Sequence, residues 1–192
     1  MANHHLGRHQ KKARREGRTI VFVDETGVYL LPSIVRTWAP TGQTPILNNP
    51  LSRDHWSLIG AITATGKLYC LLYPHAIKGT QVVHFLRHLL RHVAGKLLVI
   101  WDGLSAHHGQ SVKDFLKAGG TARIHLQRLP SYAPDLNPQE GIWRYLKRVE
   151  MANICCANMT ELLHQLRKAL ARLRHKHEII LNCFQLAGLD PP

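Results

Sequence analysis

The stretch TIVFVDE at residues 19–25 decides the fold class: an unbroken β-branched and apolar run that closes on two acids. Such a run, with no polar alternation, belongs to a strand covered on both faces. KLLVIWD at residues 96–102 repeats the pattern and again closes on an aspartate. Between the two runs, GVYLLP, HWSLIGAIT and KLYCLLYP read as two or three further strands joined by hairpins, with the turn-rich APTGQTP among them. The period then becomes helical over residues 80–93, and Gly95 stops that helix. Residues 109–118 predict a short helix, RIHLQRL a fifth strand, and the proline-rich LPSYAPDLNP leads into a helix from Pro138 to Val149. A last amphipathic helix is predicted over residues 160–176, with Leu162, Leu163, Leu166, Leu170 and Leu173 as its apolar stripe. The order β-β-β-α-β-α-β-α is an α/β fold with a mixed five-stranded sheet flanked by helices.

Composition narrows the function. The chain has 192 residues, 25 Lys plus Arg against 12 Asp plus Glu, and a net charge of +13. A polyanion is the expected partner, nucleic acid first among them. Residues 1–18 form a basic arm, 19–150 a catalytic-sized domain, and 151–192 a helical extension of it. No apolar run approaches the roughly 20 residues of a membrane span, and the N-terminal residues lack a secretory h-region, so a cytoplasmic location is expected. Cys70, Cys155, Cys156 and Cys183 show no C-x-x-C spacing and read as reduced, mostly structural thiols. His84, His88 and His92 repeat every four residues beside Arg87 and Arg91, which favours a solvated stripe over a metal site. Phosphate-binding glycine loops of the nucleotide-binding kinds are absent from the sequence.

The scarce acids carry the chemistry. Asp24 and Asp102 each end an apolar strand, where α/β sheets place their ligand sites. Glu140 lies in the helix after the proline-rich loop. At ~100° per residue, Arg144 and Lys147 share its face, while Ile142, Leu146 and Val149 fall on the opposite, buried one. The competing reading makes Glu140 the third residue of a capping box begun by Asn137, reaching back to a backbone N–H. Three carboxylates converging from separate elements repel one another unless a divalent cation neutralises them, and oxygen donors suit Mg²⁺, with Mn²⁺ as substitute. A pair of such ions supports phosphoryl transfer on a polyanion.

The segments VFVDETGVYL, RTWAPTGQTP, LLVIWDGLSAHH and LPSYAPDLNPQEGIWRYLKR resemble the DDE transposases of the bacterial insertion sequence 630 family, relatives of the mariner elements. The resemblance covers roughly residues 19–150. It implies a ribonuclease H-like fold and metal-dependent cleavage and strand transfer at transposon ends. It also implies a triad of Asp24, Asp102 and Glu140 as catalytic metal ligands for two Mg²⁺ ions, with His107 at the scissile phosphate or ordering the site. Trp38 and Gly42 match a tryptophan-glycine hairpin, read as structural. Gly103 stands where many relatives have asparagine. Full-length relatives carry an N-terminal helix-turn-helix region that reads the transposon ends; this chain is expected to begin after it, with an upstream-encoded partner as one source of that function. DNA contacts are expected from Arg144, Lys147 and Arg148 and from Arg14, Arg15 and Arg18 of the arm. Related enzymes act as homodimers on paired ends. The competing functions are a non-catalytic regulatory fragment and a cellular nuclease acting on hybrids or junctions.

Overall fold

The computed structural model describes residues 13, 15–47, 52–130 and 134–189. Five strands form one sheet in the order β3-β2-β1-β4-β5: β1 Arg18–Tyr29, β2 His55–Thr63, β3 Leu68–Tyr73, β4 Lys96–Trp101 and β5 Ile124–Arg128. β2 and β3 run antiparallel to their neighbours, whereas β4 and β5 run parallel to β1, so the sheet is mixed as expected.

Helices cover both faces, which is why β1 and β4 are apolar without alternation. On one face, α1 (Gly79–His92) and α2 (Gln110–Lys117) bring Val82, Phe85, Leu86, Leu89 and Val112 against Val21, Val23, Val99 and Trp101. On the other, α3 (Pro138–Tyr145), α4 (Met159–Arg174) and α5 (His177–Leu186) pack Ile142, Trp143, Leu166, Leu170 and Phe184 on Phe22, Leu58, Ile62, Leu98 and Ile100. Phe184 meets Phe22 edge-on at 5.6 Å. Among the described residues no helix is long and apolar enough to cross a membrane.

Several expectations need correction. Asp24 does not end its strand: β1 continues through Glu25-Thr26-Gly27-Val28 to Tyr29, and GVYLLP is no separate strand. The continuation exists because β2 pairs with β1 along its whole outer half, to Tyr29↔His55, whereas the parallel ladder to β4 stops at Phe22↔Ile100. Asp24 and Asp102 therefore both lie just past the end of that ladder. The helix expected to reach Val149 is α-helical only to Tyr145; Leu146–Glu150 is a π-turn, closed by Met151 N–H on the Leu146 carbonyl at 2.9 Å. The wider turn rotates the face, so Val149 is 54% exposed while Glu150 is buried. Glu150 is held there by Arg172 and Lys176, each at 2.7 Å.

The tail folds as two helices, α4 and α5, where one was expected. Of the tryptophan-glycine pair read as structural, Trp38 is fully exposed, in the stretch 34–47 that leaves the sheet, and Gly42 takes a positive φ of 79° in a turn. Cys70, Cys156 and Cys183 are buried free thiols, as read.

Candidate active site

Asp24 is buried at 6% exposure, and its Oδ2 accepts a 3.0 Å hydrogen bond from Trp143 Nε1 on α3. The indole can lie there because Gly60 is the residue directly opposite Asp24 on β2. A Cβ at position 60 would run into the Trp143 ring and come within 2.9 Å of Gln139 Nε2. Gly60→Ala is therefore expected to destabilise the fold by about 1–3 kcal/mol through overpacking, read as a fall in melting temperature. An unchanged melting temperature would mean that the indole is not locked in this position.

Burial pushes the Asp24 carboxyl up to about 8, and the negative charges of Glu140, Glu25 and Asp102 push it the same way. Three carboxylates thus crowd the fourth. Lys147 answers part of that charge: half-buried, it donates from Nζ to Thr26 Oγ1 at 2.6 Å. Burial pulls the Lys147 ammonium down, while Glu140 and Asp24 hold it up.

Glu140 is exposed in the first turn of α3, and the two readings of it separate here. Asn137 caps the helix alone, its Oδ1 accepting from Gln139 N–H at 3.2 Å. Among the described residues the Glu140 carboxylate makes no reciprocal bond to the cap, so the capping-box reading fails and the carboxylate is free for chemistry.

Asp102 is the partly exposed acid. Its Oδ1 accepts from Leu104 N–H at 3.0 Å and lies 3.0 Å from His107 Nδ1. The His107 ring is buried and stacked on Trp101, centroids 4.3 Å apart and planes 5° from parallel. Its Nε2 lies 2.8 Å from Glu25 Oε1. Burial opposes the charge on His107, but the hydrogen bond and charge of Glu25 and the contacts to Asp102 prevail and raise its pKa. A protonated ring donates on both sides, tying Asp102 to β1. Donor atoms of Glu25, Asp102 and His107 lie within 4.8 Å of one another.

Glu25 is the site residue that sequence reasoning missed. Its signal was the period of two: Glu25 shares the face of Val21 and Val23, where a carboxylate needs a partner. The expected DNA contacts are spread unevenly. Lys147 stands at the acids. Arg144 is exposed and lies near Cys183 of α5, and Arg148 is exposed. Arg18 is the first residue of β1, six residues and so roughly 20 Å from Asp24, and pairs with Glu16 at 2.7 Å. Arg15 is exposed, and Arg14 lies outside the described residues. The His84, His88 and His92 stripe forms no metal-ligating group among the described residues; His84 Nδ1 bonds to the Tyr73 hydroxyl at 2.8 Å.

Solved structures similar to this fold include those of the mariner transposase Mos1. Its strand transfer complex is 17% identical, with a TM-score of 0.66, over 97% of this chain and 56% of that one. Its paired-end complex with Mg gives a TM-score of 0.68 at 17% identity, over 96% and 56%. The Mos1 catalytic domain alone gives 0.60 at 15% identity, over 93% and 82%. The chain thus spans little more than half the length of the transposase chains in those DNA complexes. The shared fold is ribonuclease H-like. No curated protein matches the chain in sequence. The family model described as DDE superfamily endonuclease matches residues 19–163, the span that holds Asp24, Asp102 and Glu140. The chain belongs to the DDE superfamily endonucleases.

Proposed function

We propose that this chain is the catalytic domain of a DNA transposase of the insertion sequence 630 branch, cutting and rejoining phosphodiesters at transposon ends. The observation that carries the reading is the burial of Asp24 among Glu140, Glu25 and Asp102: burial first, and then their negative charges, raise its pKa to about 8. Carboxylates drawn this close, with only Lys147 and His107 to answer part of their charge, fit a divalent cation, and an oxygen-rich donor set fits Mg²⁺ or Mn²⁺. The Mos1 paired-end complexes with Mg and with Mn support the same choice.

Asp24, Asp102 and Glu140 would hold the metal ions. Bound there, two such ions would supply activation of a water or a 3′ hydroxyl and charge stabilisation of the leaving oxygen. The chain's own residues set the geometry. Trp143 orients the Asp24 carboxylate, and His107, anchored on Glu25 and stacked on Trp101, orients Asp102. Lys147 stands beside Asp24 and Glu140, where a phosphate oxygen would approach. The net charge of +13 draws in a polyanion that the acids alone would repel.

A homodimer on paired ends and a bacterial cytoplasmic location complete the proposal. Supercoiled plasmid incubated with the purified chain tests it. Nicked circles in Mn²⁺ or Mg²⁺, absent in EDTA, are expected. Intact plasmid in every metal, beside normal DNA binding, would favour the non-catalytic fragment instead.

A further inference from the structure

The sheet edge opposite α3 carries an arginine that the triad does not explain. Arg128 is the last residue of β5 and stands in register with Trp101, one residue before Asp102. Gly103 follows Asp102, and a Cβ built on it would come within 2.5 Å of Arg128 Nε and Cζ and overlap Nη2. The guanidinium therefore lies against the backbone beside Asp102, in the volume that any side chain at 103 would take.

That guanidinium is held but uncommitted. Arg128 is exposed, and among the described residues its guanidinium makes no hydrogen bond, while its backbone carbonyl accepts from Gln127 Nε2 at 3.1 Å. Asp102, the nearest acid in sequence register, directs Oδ1 to Leu104 N–H and His107 instead. The contrast with Arg123 is instructive. Its guanidinium is consumed by the carbonyls of Gly95, Leu90 and Val93 at 2.7–3.0 Å, a structural use. Among the described residues Arg128 has no such acceptor, and its planar fork matches a phosphate.

We propose that Arg128 binds a DNA backbone phosphate on the β5 side of the acid cluster, and that glycine at 103 is what admits it there. The inference rests on the DNA-cleaving reading above and adds a second cationic flank to it. Lys147 on the α3 side and Arg128 on the β5 side then bracket the carboxylates, so the strand crosses between them and its scissile phosphate is centred on Asp24 and Asp102.

Position 103 supplies an unusual probe. The neighbour a Cβ would strike is the far end of a flexible side chain, so Gly103→Ala moves the guanidinium while keeping its charge and the fold. The measurement is binding of a fluorescein-labelled DNA duplex to the full chain in EDTA, over a salt series, with melting temperatures as the folding control. Arg128→Gln is expected to weaken binding about tenfold, the scale of one charge-assisted hydrogen bond. It should also reduce the slope of log K against log salt by about 1. Gly103→Ala should weaken binding in the same direction, and the double variant should bind no worse than Arg128→Gln alone. Wild-type affinity and slope in Arg128→Gln, or losses that add fully in the double variant, would overturn the inference. If wild type nicks plasmid with metal while Arg128→Gln binds normally, only this inference falls. If wild type neither binds nor nicks DNA, the functional reading falls with it.

Discussion

Asp102→Asn is expected to slow metal-dependent plasmid nicking by at least about 100–1000-fold, the loss typical of removing one group that stabilises transition-state charge. The substitution changes charge with little change of shape. An amide oxygen can still accept from Leu104 N–H and from His107 Nδ1, the two contacts that Oδ1 makes now. The fold and DNA affinity should therefore survive, and affinity should rise slightly because one negative charge no longer faces the phosphates. The paired readings are nicking rate and duplex binding. A variant that cuts at the wild-type rate would remove Asp102 from the mechanism.

Asp24→Asn is expected to raise the melting temperature of the metal-free protein at pH 8 while abolishing its response to Mn²⁺. Asp24 has a folded pKa of about 8 against 3.8 for the free group. A raised folded pKa means that this group's stability contribution is full below pH ~4 and is lost as pH climbs toward 8. The shift corresponds to at most about 6 kcal/mol at the upper end of that window. At roughly 2–4 °C per kcal/mol for a chain of this size, a gain of about 5–15 °C is expected at pH 8 and little or none at pH 4. The asparagine oxygen keeps the Trp143 hydrogen bond, so the comparison isolates charge. Saturating Mn²⁺ at ~100 times its Kd should stabilise wild type by about 2.7 kcal/mol. The variant should show no such gain. A variant less stable than wild type in EDTA at pH 8 would mean that the Asp24 charge is not under strain.

The legible parts of the fold were those where one physical rule dominates. β1 and β4 announced themselves because helices cover both faces and leave no polar position along Val21–Val23 or Leu97–Trp101. The proposed triad was drawn from strand position and helical angle; of these, the helical placement of Glu140 holds, with Asn137 alone as the cap, whereas Asp24 lies inside β1 instead of at its end. The missed features depend on partners distant in sequence. Nothing local says that β1 runs past Asp24, because β2 supplies that half of its hydrogen bonds from more than 25 residues away. The π-turn after Tyr145 is fixed by Glu150 turning inward to Arg172 and Lys176 on and just beyond α4. α5 lacks a side-chain cap at Lys176, so its short apolar run carried no start signal. Glu25 was hidden by its neighbour: two adjacent acids read as one strand end, yet they face opposite sides of the sheet.

The central claim is that Asp24, Asp102 and Glu140 form a divalent-cation site, and calorimetric titration of Mn²⁺ into the wild-type chain and Asp24→Asn at pH 7.5 tests it most directly. The account predicts saturable binding to wild type, with proton release as Asp24 ionises, and loss of that binding in the variant. Equal Mn²⁺ binding by both proteins, or none by wild type, would contradict it.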